Sequence, residues 1–249
     1  MIAPPAKFKI DPWYTKFTWA REFTVVGRGA SDEALLRANQ TIRRIFAYRH
    51  DILKALIADG VKLAVLGPNE TVGDLPEYRK LTEKKSIDPT LRFLTYRPEM
   101  KLLVVDQENV LGSGDGPYAK EDPVILVFAD ALYRVAGMRP VIADYRGNQQ
   151  YELRVKRLDL GFDQRIGALF EKATAAKKWQ GTSSIANKFS YWNGGVLAYF
   201  NGNAKRSAPK DSQNPIATRE ALKTYDPDLY ALVNETMAYE GHEDWRVHL

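Results

Sequence analysis

The chain has no cysteine among its 249 residues. Disulfides, thiolate nucleophiles and cysteine-ligated zinc are thereby excluded, while the compartment stays undecided, because a chain this long buries enough surface to fold without a staple. Histidine is nearly as scarce. His50, His242 and His248 are the only three, and none has another three or four positions away, so no local histidine pair can hold a metal. No apolar run approaches the roughly 18 residues a membrane helix needs, and Met1 to Asp11 has no signal-type apolar core. A soluble protein with no membrane partner is expected. A dominant charge is lacking too: 36 basic residues face 31 acidic ones, a net of +5. The clusters Arg43-Arg44, Lys84-Lys85 and Lys177-Lys178 are short and separated, which reads as solvated surface and argues against a nucleic-acid partner.

What is present is the mix of an ordinary globular protein, 45% hydrophobic and 27% charged, with no repeat, low-complexity tract or linker. A single domain over residues 1–249, α+β and mainly helical with a small sheet, is expected. Apolar spacing of three and four over residues 32–49 predicts a helix capped by Ser31. A second helix follows, with Asp51 as its cap and Gly60 ending it in a left-handed turn. Strands are expected at Val61 to Leu66 and Lys101 to Val105, with residues 68–100 mostly loop. Asp122-Pro123 then opens a segment, Val124 to Leu132, that leaves no polar face and must be buried on every side. A hairpin over 141–155 turning at Arg146-Gly147-Asn148, an amphipathic helix over 162–179, an aromatic inner helix over 184–200 and a polar loop over 201–217 complete the pattern. Thr218 and Asp226-Pro227 cap two closing helices, the second with Leu229, Leu232, Val233 and Met237 inward.

Few residues carry chemistry. The histidines read as structural, with His50 preceding a helix cap, and Gly112 to Pro117 is a flexible turn without the Gly-Lys-Ser/Thr of a phosphate loop. Serines 183, 184 and 190 have no nucleophile elbow. Asp130 is the odd residue, a carboxylate inside an all-apolar helix. It either pairs with Arg134 four positions on or faces an internal cleft. Phe189, Ser190, Tyr191, Trp192, Asn193, Tyr199 and Phe200 have a density of aromatics that is usually core, but tyrosine and tryptophan with polar Ser190 and Asn193 between them also suit the wall of a ligand pocket. Asn-x-Thr triplets at Asn39, Asn69 and Asn234 lean toward a secreted chain, where a eukaryotic source would glycosylate them.

Several stretches resemble a group of zinc metallopeptidase-like proteins, many of them secreted. They are Asp32 to Ala38, Gly60 to Val65, Glu108 to Leu111 and Gly114 to Tyr118. In the C-terminal half Phe162-Asp163, Trp179, Asn187, Tyr191-Trp192, Gly195-Val196, Phe200-Asn201, Asn214, Thr218-Arg219-Glu220, Leu222-Lys223, Tyr225-Asp226-Pro227, Leu229-Tyr230 and Asp244-Trp245-Arg246 continue the resemblance. It implies a zincin-like scaffold in which one helix carries H-E-F-A-H, with two zinc-holding histidines and a glutamate base, and a later helix carries E-Y-W-A-E-G with a carboxylate ligand. Here the first motif reads Leu126-Val127-Phe128-Ala129-Asp130 and the second Ser190-Tyr191-Trp192-Asn193-Gly194-Gly195. Both histidines and all three glutamates are replaced. The resemblance therefore implies a catalytically inactive relative that holds no zinc and no other cofactor. It would bind a small organic molecule in the former cleft through Leu126, Val127, Asp130, Tyr133, Ser190, Tyr191, Trp192 and Asn193. The apolar floor and aromatic walls favour a flat apolar or aromatic ligand, such as a pigment. Two alternatives stand beside it: a hydrolase using Asp130 with Glu108, without zinc or on a hard cation, and a structural or storage protein with the cleft filled by its own side chains.

Overall fold

The computed structural model describes residues 1–82, 87–113, 121–138, 141–145, 149–153, 158, 160–202 and 216–238. After a 3-10 turn at Ala6–Phe8, strands β1 (Lys16–Ala20) and β2 (Phe23–Gly27) form an antiparallel hairpin. Helices α1 (Asp32–Ile45) and α2 (His50–Asp59) lead to β3 (Lys62–Leu66), and the short α3 (Pro76–Arg79) lies on the way to β4 (Leu102–Asp106). Then come α4 (Gln107–Leu111), α5 (Pro123–Leu132), a hairpin of β5 (Val141–Tyr145) and β6 (Gln149–Leu153), α6 (Leu160–Ala175), α7 (Lys188–Tyr199), α8 (Arg219–Tyr225) and α9 (Pro227–Ala238). The main sheet runs β1-β2-β3-β4, parallel across the last three strands. The protein is thus α+β, predominantly helical, with a small mixed sheet.

The period-two alternation of the strands divides the core. Val25, Leu63, Val65, Leu103 and Val105 turn to the face covered by α1, α2 and α5. Val26, Ala64, Leu66, Leu102 and Val104 turn to the other, where Tyr14, Val72, Leu75, Tyr78 and Met100 close it. Helix ends follow the local chemistry. Ser31 accepts the Ala34 N–H at 3.2 Å, Asp122 accepts those of Val124 and Ile125 at 3.0 and 3.2 Å, and Thr218 accepts that of Ala221 at 3.2 Å. Gly60 ends α2 at φ 87°. The inward residues expected for α9, Leu229, Leu232, Val233 and Met237, are all buried.

Three expectations need correction. Asp51 is not a cap: α2 begins at His50, Arg49 stands at the cap position, and both Asp51 oxygens are held by the fully buried Arg49 guanidinium at 2.9 Å. His50 accordingly opens α2 instead of preceding a cap, its ring 3.9 Å from the Glu22 carboxylate. The helix over 162–179 stops at Ala175, and Trp179 follows at φ 61° with its ring buried. The turn 146–148, most of the polar loop, Lys84-Lys85, Gly114 to Tyr118, Pro140, Val155, Asn214, His242, His248 and Asp244-Trp245-Arg246 lie outside the described residues. Among those described, no helix is long and apolar enough to cross a membrane. Of the three triplet asparagines, Asn39 is buried and donates to Thr18 Oγ1 at 3.0 Å, and Asn234 accepts from Tyr199 at 2.8 Å; Asn69 alone is exposed.

At the C-terminal ends of the parallel strands the loops lock together. Glu70 accepts the N–H groups of Gly29 and Gly67 at 3.0 and 2.6 Å, and Arg92 donates to Gly67 O at 2.7 Å and to Glu108 at 2.8 Å. A Cβ on Gly67 would sit 2.5 Å from the Gly29 carbonyl carbon. Gly67→Ala should therefore force the two backbones apart and cost roughly 1–3 kcal/mol, read as a lowered urea midpoint; an unchanged midpoint would show that the loops are free to separate.

Candidate functional site

Helices α5 and α7 pack directly on each other within the larger part of the core. Asp122 starts α5, and of its ten residues only Leu126 is not fully buried. Asn187 starts α7 by accepting the Ser190 N–H at 2.9 Å. The two helices are joined directly where Trp192 Nε1 donates to Ala129 O at 3.1 Å. Val127 is buried on the α5 side, and Leu126, half-buried, packs against the same core.

The aromatic residues are packed and their polar atoms are used. Trp192 is fully buried with the Phe162 ring edge-on at 5.0 Å. Tyr191, also fully buried, donates to Asp226 Oδ2 at 2.8 Å, and the same oxygen accepts Trp179 Nε1 at 2.8 Å. Burial is the main cause that raises the Tyr191 hydroxyl above its ordinary value. Tyr133 is buried too, packs on Phe162 and Phe189, and donates to Asp163 at 2.7 Å. Lys188, bonded to Asp163 at 2.7 Å, is the leading cause that lowers the Asp163 carboxyl.

Asp130 is 3% exposed and takes Arg134 Nε on its Oδ1 at 2.9 Å. The Asn193 amide and the Tyr96 backbone N–H are near enough to favour the charged form of the same carboxylate. Yet Asp130 Oδ2 and Asn193 Oδ1 are both buried and, among the described residues, have no hydrogen-bond partner. Burial outweighs these favourable neighbours and raises the Asp130 carboxyl above its ordinary value of 3.8. Sequence reasoning singled out Asp130 and Asn193 separately; their juxtaposition follows from the α5–α7 packing.

The resemblance to zinc enzymes makes a geometric demand that these residues do not meet. Zinc ligands must converge from both helices. Trp192 and Asn193 of α7 reach α5, whereas Gly194 is turned to Ser184 and Trp179. A Cβ there would sit 2.2 Å from Ser184 Oγ. Ser190, one turn before, shares that face of the helix. Leu126 and Val127 offer no ligand atom, and Asp130 is tied to a guanidinium, so the residues present do not fit zinc. Glu108, the proposed partner of Asp130 in a metal-free hydrolase, is ion-paired with Arg92 at 2.8 Å. Each carboxylate has its own arginine.

The buried carboxyl sets a pH dependence. A pKa raised in the folded state means that folding retains a proton the unfolded chain gives up, so stability falls as pH climbs from about 3.8 through the folded value and is flat above it. Asp130→Asn cannot titrate and should remove this slope. Urea unfolding of both proteins from acid to neutral pH checks it, and the wild type should lose ground to the variant as pH rises. A wild-type advantage that instead grew with pH would mean that the Arg134 pair outweighs burial.

Compared with models of protein families, with curated proteins and with solved structures, the chain matches none.

Proposed function

We propose that this chain is a non-catalytic binding protein whose small-molecule ligand is recognised at the α5–α7 junction, by Asp130 and Asn193. One observation carries the reading: two buried acceptor atoms, from facing helices, have no partner among the described residues, amid aromatic residues whose own polar atoms are satisfied. A buried acceptor left unmade costs about 1–3 kcal/mol, and a ligand that brings N–H or O–H donors recovers that cost. Phe189 supplies an aromatic flank, while Tyr133, Tyr191 and Trp192 stiffen the wall from behind instead of lining it. A flat organic molecule with donors on one edge, pigments included, fits this chemistry better than a wholly apolar one.

A second reading, a structural protein with a filled cleft, is favoured by the complete burial of Tyr191, Trp192 and Val127. Native mass spectrometry and an absorption spectrum of the purified protein separate the two. The binding reading expects bound mass that disappears in Asn193→Leu, which deletes one orphan acceptor, with no stoichiometric zinc by elemental analysis. If no mass is bound and Asn193→Leu raises the melting temperature, the filled cleft is correct. Zinc at one per chain would overturn both.

A further inference from the structure

The α5 helix does not end at Leu132 but runs on into a π turn, Tyr133–Gly137. Such turns are rare and recur at functional sites, because the widened turn re-aims side chains at some cost in regularity. The side chain that this turn carries outward is Arg134. Its Nε is fixed on Asp130 Oδ1 at 2.9 Å, and its guanidinium carbon lies 4.2 Å from the centre of the Phe189 ring. The guanidinium is thus held at one edge and over one face. Its side chain is 37% exposed, and among the described residues no protein group meets Nη1 or Nη2. A buried carboxylate and a stacked ring have fixed an arginine whose tip meets no other group among the described residues.

The geometry points to Arg134 as an oxyanion-binding residue whose Nη1–Nη2 edge takes the planar carboxylate of a small organic ligand. This deepens the proposal for the same junction, since a ligand with donors for Asp130 and Asn193 would have its carboxylate on Arg134. The choice of carboxylate follows from shape and charge. A planar fork matches a planar two-oxygen anion in a bidentate fashion. Two cations, Arg134 and Lys188, are balanced by two carboxylates, Asp130 and Asp163, to which they are paired. The neighbourhood suits one added negative charge better than the two of a phosphate.

Titration of the 15N-labelled full chain with benzoate, acetate and inorganic phosphate, followed through backbone amides and the arginine side-chain signals, tests the assignment. Benzoate and acetate should produce saturable shifts at residue 134 and its neighbours, with phosphate at least tenfold weaker. Arg134→Lys keeps the charge but loses the fork and should weaken carboxylate binding about tenfold or more, whereas Lys188→Ala, removing a cation already committed to Asp163, should change it less than threefold. Equal binding by wild type and Arg134→Lys, or phosphate binding as tightly as carboxylate, overturns the inference, as does the absence of saturation. The two proposals fail separately: carboxylate binding that depends on Arg134 but survives Asn193→Leu in a protein carrying no bound mass rejects the junction as the ligand site and leaves the arginine fork, and bound mass without any carboxylate response does the reverse.

Discussion

A helix with no polar face dictates the architecture. Val124, Ile125, Val127, Phe128, Ala131 and Leu132 point in every direction around α5, and each large side chain among them gains roughly 1.5–3 kcal/mol from leaving water. One layer cannot cover such a helix. The sheet with α1 and α2 takes one side, where Phe128 meets Phe23 and Phe46 at 4.9 and 5.4 Å. The α6–α9 layer takes the other through α7. A polar atom on α5 must then be met inside the protein, which is why Asp130 and its neighbours are the only place where this helix can do anything but pack.

The outer layer is organised about a second buried carboxylate. Asp226 is 2% exposed and takes Trp179 Nε1 and Tyr191 OH on one oxygen, with Lys178 3.6 Å from the other. Tyr225 adds its hydroxyl to the Trp179 backbone N–H at 2.7 Å. Tyrosine and tryptophan combine an apolar body with one polar tip, and the destination of that tip separates a pocket wall from a core. In Tyr191, Trp179, Trp192 and Tyr133 every tip ends on an internal acceptor. Composition could not distinguish the two roles; the hydrogen bonds do.

Much of this was legible in the sequence where local chemistry decides. Ser31, Asp122 and Thr218 cap helices because a short oxygen-bearing side chain before an apolar run satisfies the first free N–H groups, and Gly60 ends α2 because glycine tolerates a positive φ. The β1–β2 hairpin was invisible for the complementary reason. Its two turn residues, Arg21 and Glu22, sit at φ 51° and 74° without the Asn-Gly signal that usually marks such a turn. Asp51 misled because a carboxylate before an apolar run resembles a cap, and nothing local reveals that a buried arginine has claimed it. The Asp130–Arg134 pair was readable from its spacing of four. That Asn193, rather than Ser190 or Gly194, stands beside Asp130 depends on how α7 is rotated, which tertiary packing sets.

The retained polarity at the junction is best weighed against what would replace it. A buried ion pair is weak evidence for stability, since well-packed apolar residues of similar volume often do as well or better. Leu126 and Val127 show that this helix accepts aliphatic residues at adjacent positions, and a leucine at 130 would leave neither an orphan oxygen nor a raised carboxyl. What it would forfeit is the hold on Arg134 Nε. Packing therefore gives a reason for every residue of α5 except Asp130, and that exception makes sense only through the groups it orients: Arg134 at the surface edge and Asn193 across the helix interface.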